Sequence, residues 1–188
     1  AAVRLLDRHL RYRRGNTAGK RGEHAIEEEL LGPSLIDSPV TSLGFRVIDG
    51  VNAVPLTRDA GGRRRGNVEA DMLLLVSGER EHRLHLVEVK DNANDAWYAA
   101  VENLRQLRLF TESESTQRLF HDRCEIDLPA DLPVTAVVLA PRPFYESRGK
   151  KLNSVAPAQR LLGRMHVECG VDAVLATWDR VSRLIEPL

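Results

Sequence analysis

The sequence predicts an α/β domain in which a mixed β-sheet lies between helices. Three observations predict it. Two Leu- and Val-rich runs flank the turn signal Ser77-Gly78-Glu79-Arg80, which reads as a hairpin. A helical pattern then leads to Val134-Thr-Ala-Val-Val-Leu-Ala140, a short continuous apolar run of the kind found in buried strands. A second amphipathic helix followed by a strand closes the core. The resulting order is helix, strands, helix, strand, helix, strand.

Taken in order, residues 1–16 form a basic N-terminal arm or short helix, with Val3, Leu6 and Leu10 as its apolar side. Residues 17–188 form a single domain. Residues 17–31 read as a helix that Thr17 can cap and Gly32-Pro33 ends. Its apolar stripe is Ala25, Ile26 and Leu30, with Gly22 in line. Glu23 lies on the edge of that stripe, Glu27 is its neighbour one turn on, and Glu28 points away. Residues 68–76 and 83–90 are the two strands of the hairpin. Residues 94–111 are a helix whose stripe runs through Trp97, Ala100, Val101, Leu104 and Leu107. Residues 156–169 are an amphipathic helix with Leu161, Leu162 and Met165, and residues 170–176 are the last strand.

The hairpin carries charges inside apolar runs, where they are costly unless paired or bound. Asp71 interrupts one strand, and Glu88 and Lys90 interrupt the other. A hairpin centred between Glu79 and Arg80 sets Asp71 opposite Glu88. Directly opposed residues have β-carbons about 4.5–5.5 Å apart. Lys90, two residues on, points to the same face as Glu88. Two carboxylates that close repel, and a divalent cation keeps both ionised. Mg²⁺ commonly takes one or two carboxylates and completes its shell with water and phosphate oxygens. Lys90 could orient a water there, or accept its proton if its pKa were lowered. The plainer alternative is a cross-strand ion pair on a solvated sheet face.

The ordered set Glu23, Ala70-Asp71 and Glu88-Val89-Lys90 resembles the PD-(D/E)xK nuclease superfamily, also called restriction-endonuclease-like. The family's proline is Ala70 here, a departure that removes no ligand. The resemblance spans residues 17 to about 180 and implies a restriction-endonuclease-like core. That core is a central mixed β-sheet flanked by helices, αβββαβ plus a further helix and strand. It also implies Mg²⁺ (or Mn²⁺) held by Asp71, Glu88 and the backbone carbonyl of Val89. Glu23 would complete the site and Lys90 would act on the water and the transition-state charge. RecB-type members carry Gln-x-x-x-Tyr on the helix after the lysine. Gln106-Leu-Arg-Leu-Phe110 is similar but lacks the tyrosine hydroxyl. A wheel drawn through the apolar stripe sets Gln106 opposite it, as a solvated glutamine, so Gln106 is a candidate through the resemblance alone.

At 188 residues the chain is one domain by size. Its net charge of zero excludes a generic nucleic-acid coat and leaves local clusters. Arg63, Arg64 and Arg65, flanked by glycines, enter the strand that bears Asp71 and are the favoured phosphate contacts. Arg148, Lys150 and Lys151 form a second cluster, and Arg11, Arg13, Arg14, Lys20 and Arg21 a third. No run approaches a transmembrane span, and no membrane partner is expected. The chain begins without Met, which is compatible with trimming or with a piece of a longer protein. Cys124 and Cys169 are too few for a disulfide framework, so a reduced cytoplasmic setting is simplest. His82 and His85, three apart on a strand, point to opposite faces and do not make a zinc site.

The expectation is a metal-dependent nuclease acting on nucleic acid, with DNA favoured, alone, as a homodimer or in a larger nuclease assembly. The alternative is a non-catalytic nucleic-acid-binding or assembly subunit.

Overall fold

The structure is a computed structural model and describes residues 22–32, 39–56, 68–79, 81–91, 95–112, 132–146 and 154–188. The N-terminal arm, Thr17, Lys20, Arg21, Arg63 to Arg65, Cys124 and Arg148 to Lys151 lie outside the described residues. The elements are α1 (Glu23–Leu31), β1 (Thr41–Ser42), β2 (Phe45–Pro55), β3 (Glu69–Ser77), β4 (His82–Val89), α2 (Ala96–Glu112), β5 (Val134–Ala140), α3 (Arg142–Glu146), α4 (Val155–Cys169), β6 (Asp172–Asp179) and β7 (Leu184–Pro187).

The expected open sheet between helices is not what forms. All seven strands join in sequence order and close into a barrel, with the helices outside it. The ladder is mixed: β4 and β6 run parallel to β5, and β1 runs parallel to β7, while the other neighbours are antiparallel. Closure comes from β1 and β7, where Thr41 N–H donates to Arg183 O (3.1 Å) and Leu43 N–H to Ile185 O (2.9 Å). These segments satisfy backbone groups that an open sheet would leave at its edges. Two and four residues long, they are too short to show a period of two in the sequence.

Alternation along the strands builds the core. Met72, Leu74, Val76, Val87, Val89, Val137 and Leu139 pack with Ile26, Leu30 and Leu31 of α1. Leu73, Leu75, Leu84, Leu86 and Ala136 pack with Leu107 and Phe110 of α2. Gly50 lets α1 approach β2, because a Cβ there would lie 2.8 Å from Leu74 Cδ2 and 3.0 Å from Leu31 Cδ2.

The alternation breaks at Asp71. Strict pleating would group Ala70 with Met72, yet Ala70 belongs to the α2 cluster with Leu73 and Leu75. The same slip occurs on β2, where Val51 and Val54 share that cluster. Between them Ala53, the residue that register sets against Asp71, has φ 53. A left-handed residue inside a strand turns the pleat over locally, and such strain gathers at functional sites.

α2 uses a different face from the one its apolar residues suggest. Ala96, Ala99, Ala100, Asn103, Gln106, Leu107 and Phe110 are buried, while Trp97 and Val101 are exposed. The large apolar residues drew the wheel one way. The helix instead sits close to the wall on alanines and turns two amides inward.

Candidate active site

Register fixes the two acids. The β3–β4 hairpin pairs Ser77 with His82 and Met72 with Val87, so its centre lies between Glu79 and Arg80 as expected. The paired ladder ends at Met72 and Val87, and Asp71 lies just past it, near enough for its charge to act on Glu88. Asp71 does not continue the ladder with its backbone. Its Oδ2 accepts the Val89 N–H at 2.7 Å. That leaves Asp71 half-buried beside the end of β4.

Glu88 is buried at 4% exposure and both its oxygens are engaged. Oε1 accepts from Lys90 Nζ in a short contact, and Oε2 accepts from Gln106 Nε2 at 2.6 Å. Gln106 also donates to Glu69 O at 3.2 Å, and Asn103 donates to Gln106 Oε1 at 3.4 Å and to Leu86 O at 3.2 Å. Gln106 is therefore a buried member of the site, at 2% exposure, and not the solvated glutamine that the wheel suggested. Lys90 reaches the same face as Glu88 and forms a second ion pair, with Glu102 Oε2 at 3.1 Å.

Helix α1 buries Glu27 rather than Glu23. Glu27, 1% exposed, is held from both sides: His24 Nδ1 is 3.0 Å from Oε1, and Asn52 Nδ2 donates to Oε2 at 2.9 Å. Glu23, in the first turn, is only half-buried. Both acids press on Asp71, Glu27 more strongly than Glu23. The signal for Glu27 was available, since it stands three and four residues before Leu30 and Leu31 in the buried stripe. Gly22, at φ 82, begins the helix, and a Cβ there would meet Asp91 Oδ2 at 3.3 Å. Glycine thus sets the start of α1 against the end of β4.

Burial and mutual repulsion outweigh the Lys90 cation at this acidic pair. Burial pushes Asp71 up to about 7, against the Val89 N–H and with the push of Glu27. Burial and the charge of Asp71 push Glu88 up to about 8, although Lys90 and Gln106 pull it down. The two titrate as a pair. Burial opposes the charge on Lys90, but Glu88 and Glu102 outweigh it and hold its pKa above that of a free lysine. The proton-accepting role considered for Lys90 would need the opposite shift. Lys90 is a fixed cation here.

Among the described residues no group of three or more His, Cys, Asp or Glu side chains could hold a metal ion. Asp71 and Glu88 are the pair that the strands bring together. Val89 gives its N–H to Asp71, and its side chain is buried in the core. Away from this site, buried His85 pairs through Nδ1 with Ser42 Oγ at 2.8 Å. Cys169 is an exposed free thiol. Among the described residues no helix is long and apolar enough to cross a membrane.

No protein-family model matches the chain, and neither a curated protein nor a solved structure matches it.

Proposed function

We propose that the chain is a metal-dependent nuclease, a phosphodiester hydrolase with a PD-(D/E)xK-like set of side chains, acting on nucleic acid with DNA favoured. One observation carries this reading: the end of the β3–β4 hairpin gathers Asp71, on the Val89 N–H, and Glu88, paired with the Lys90 cation.

The donor set fits Mg²⁺ or Mn²⁺. It is all oxygen, and the Lys90 cation alone does not offset the burial and repulsion that raise the two carboxylates to about 7 and about 8. Each carboxylate oxygen has two lone pairs, so the bonds from Val89, Lys90 and Gln106 leave acceptor capacity. Asp71, Glu88 and the Val89 carbonyl would hold the ion. A bound divalent cation would supply Lewis-acid and water-activating chemistry.

The chain's own residues do the rest. Lys90 sets a permanent positive charge where charge develops on the phosphate. Glu102 keeps that ammonium in place when Glu88 is engaged elsewhere. Gln106 orients the Glu88 carboxylate. Glu27 and, less directly, Glu23 keep the Asp71 side of the site acidic. Arg63, Arg64, Arg65, Lys150 and Lys151 remain candidates for holding phosphates.

A non-catalytic nucleic-acid-binding or assembly subunit is the second reading. In its favour, Lys90 already bridges Glu88 and Glu102 without any ion. Incubating plasmid, linear duplex, single strand and RNA with the purified chain, with and without Mg²⁺, separates the two. Cleavage that needs Mg²⁺ and is lost in Asp71→Asn supports the nuclease. Intact substrate under every condition supports the second reading.

A further inference from the structure

The outward face of α2 carries Trp97, Tyr98, Val101 and Arg105, all exposed. Tyr98 stands four residues before Glu102 and Arg105 three after it, so the three share one row of the helix. Glu102 is the carboxylate paired with Lys90, so this row runs past the site. Trp97 and Val101 form the adjacent row. The first turn is anchored: Asp95 Oδ1 accepts the Tyr98 N–H at 2.7 Å, and Ser154 Oγ accepts the Trp97 N–H at 3.1 Å. Yet the rings stay in water, with Trp97 42% and Tyr98 56% exposed. Arg108 pairs with Glu112 at 2.9 Å, whereas among the described residues Arg105 makes no ion pair.

We propose that this row is a track for single-stranded nucleic acid, in which Tyr98 and Trp97 stack on unpaired bases and Arg105 contacts a phosphate beside the Asp71–Glu88–Lys90 site. Exposed aromatic faces next to an exposed arginine match a polyanion whose bases offer π-faces. A duplex hides those faces in its own stack. Single strands, unpaired ends and splayed junctions are therefore the substrate class. The track rests on the nuclease reading for the fate of the strand, but not for its binding.

The test uses the full chain in EDTA, with fluorescence anisotropy on labelled oligo-dT and on a duplex of equal length. The single strand should bind at least about tenfold more tightly. Tyr98→Ala and Trp97→Ala should each weaken it about five- to a hundredfold, the range for loss of one stacked base. Tyr98→Phe and Trp97→Phe should retain most of the affinity. Arg105→Ala should lower the salt slope by about 0.7. Oligo-dT should also quench tryptophan emission in the unmodified chain. That quench should vanish in Trp97→Phe, because Trp178 is buried and bonded to Glu29. Equal affinity for both substrates, or alanine variants that bind as the unmodified chain does, would overturn the track. So would a dimer that Trp97→Ala dissociates while nucleic-acid affinity stays unchanged. Binding without Mg²⁺-dependent cleavage would sink the nuclease and keep the track. Duplex cleavage indifferent to both rings would do the reverse.

Discussion

Gln106 Nε2 donates to Glu88 Oε2 at 2.6 Å, tying the middle of α2 to the end of β4. This bond favours the ionised form of Glu88. Gln106→Ala should therefore destabilise the fold by about 1–3 kcal/mol, the usual cost of leaving a buried polar partner unmet. It should also raise the pH at which nuclease activity sets in. A pH–rate profile that does not move would remove Gln106 from the site.

Metal-free stability should fall between about pH 4.5 and 8, most steeply above 6.5. The acids at 71 and 88 have folded pKa values raised to about 7 and about 8, from ordinary values of 3.8 and 4.5. The folded state then holds the extra protons, so their contribution is complete below about pH 4 and is lost as pH rises through 7 to 8. His85 has the opposite sign, because burial and Arg83 lower it to about 4 from 6.5. Its contribution grows from pH 4 to 6.5 and offsets one of the two acids there. Thermal melts in EDTA should show a shallow net fall up to about 6.5 and a steeper one above it. Asp71→Asn, which can still accept the Val89 N–H, should flatten it.

Lys90→Ala should abolish cleavage and retain divalent-ion binding in calorimetry, because the lysine faces Glu88 and Glu102 and carries its own charge. Removing one partner of a buried pair costs up to about 3–5 kcal/mol, so melting temperature should drop as well. A variant that cleaves at the unmodified rate would make Lys90 a structural counter-ion.

Glu27→Gln should impair activity more than Glu23→Gln. Glu27 is buried and bridges His24 to Asn52, while Glu23 is half-buried and presses on Asp71 less. Parallel rate and melting measurements on the two variants decide which helical acid serves the site.

Ala53→Gly should stabilise the chain by about 0.5–1 kcal/mol, since the left-handed φ of 53 costs glycine little. Denaturant unfolding measures it. A loss of stability would mean that the Ala53 methyl is needed where the pleat turns over.

The hairpin was legible as two apolar runs around one turn signal, and the centre supposed for it, between Glu79 and Arg80, is the one its pairs from Ser77–His82 to Met72–Val87 define. β5 was legible as an uninterrupted apolar run with its observed limits. The strand before the acidic hairpin had no visible bounds, because Asp49, Gly50, Asn52 and Pro55 break its pattern. The burial of Gln106 was hidden by Trp97 and Val101, which outweigh alanines on any hydrophobic wheel. The pleat reversal at Asp71 has no sequence signal, because alanine carries no mark of its backbone angle. Barrel closure was hidden in segments too short to show a repeat.

That closure has a consequence for how the molecule breathes. β1 is two residues long, and its junction with β7 is the weakest seam in the wall. Local opening follows the sparsest bonding, so amide exchange at Thr41 and Leu43 should run ahead of the rest of the ring. The strand pair bearing Asp71 and Glu88 lies two strands away on one side and three on the other. The ring can unlatch at its seam while the hairpin beneath the acids keeps its register, so the proposed site is insulated from the protein's easiest motion.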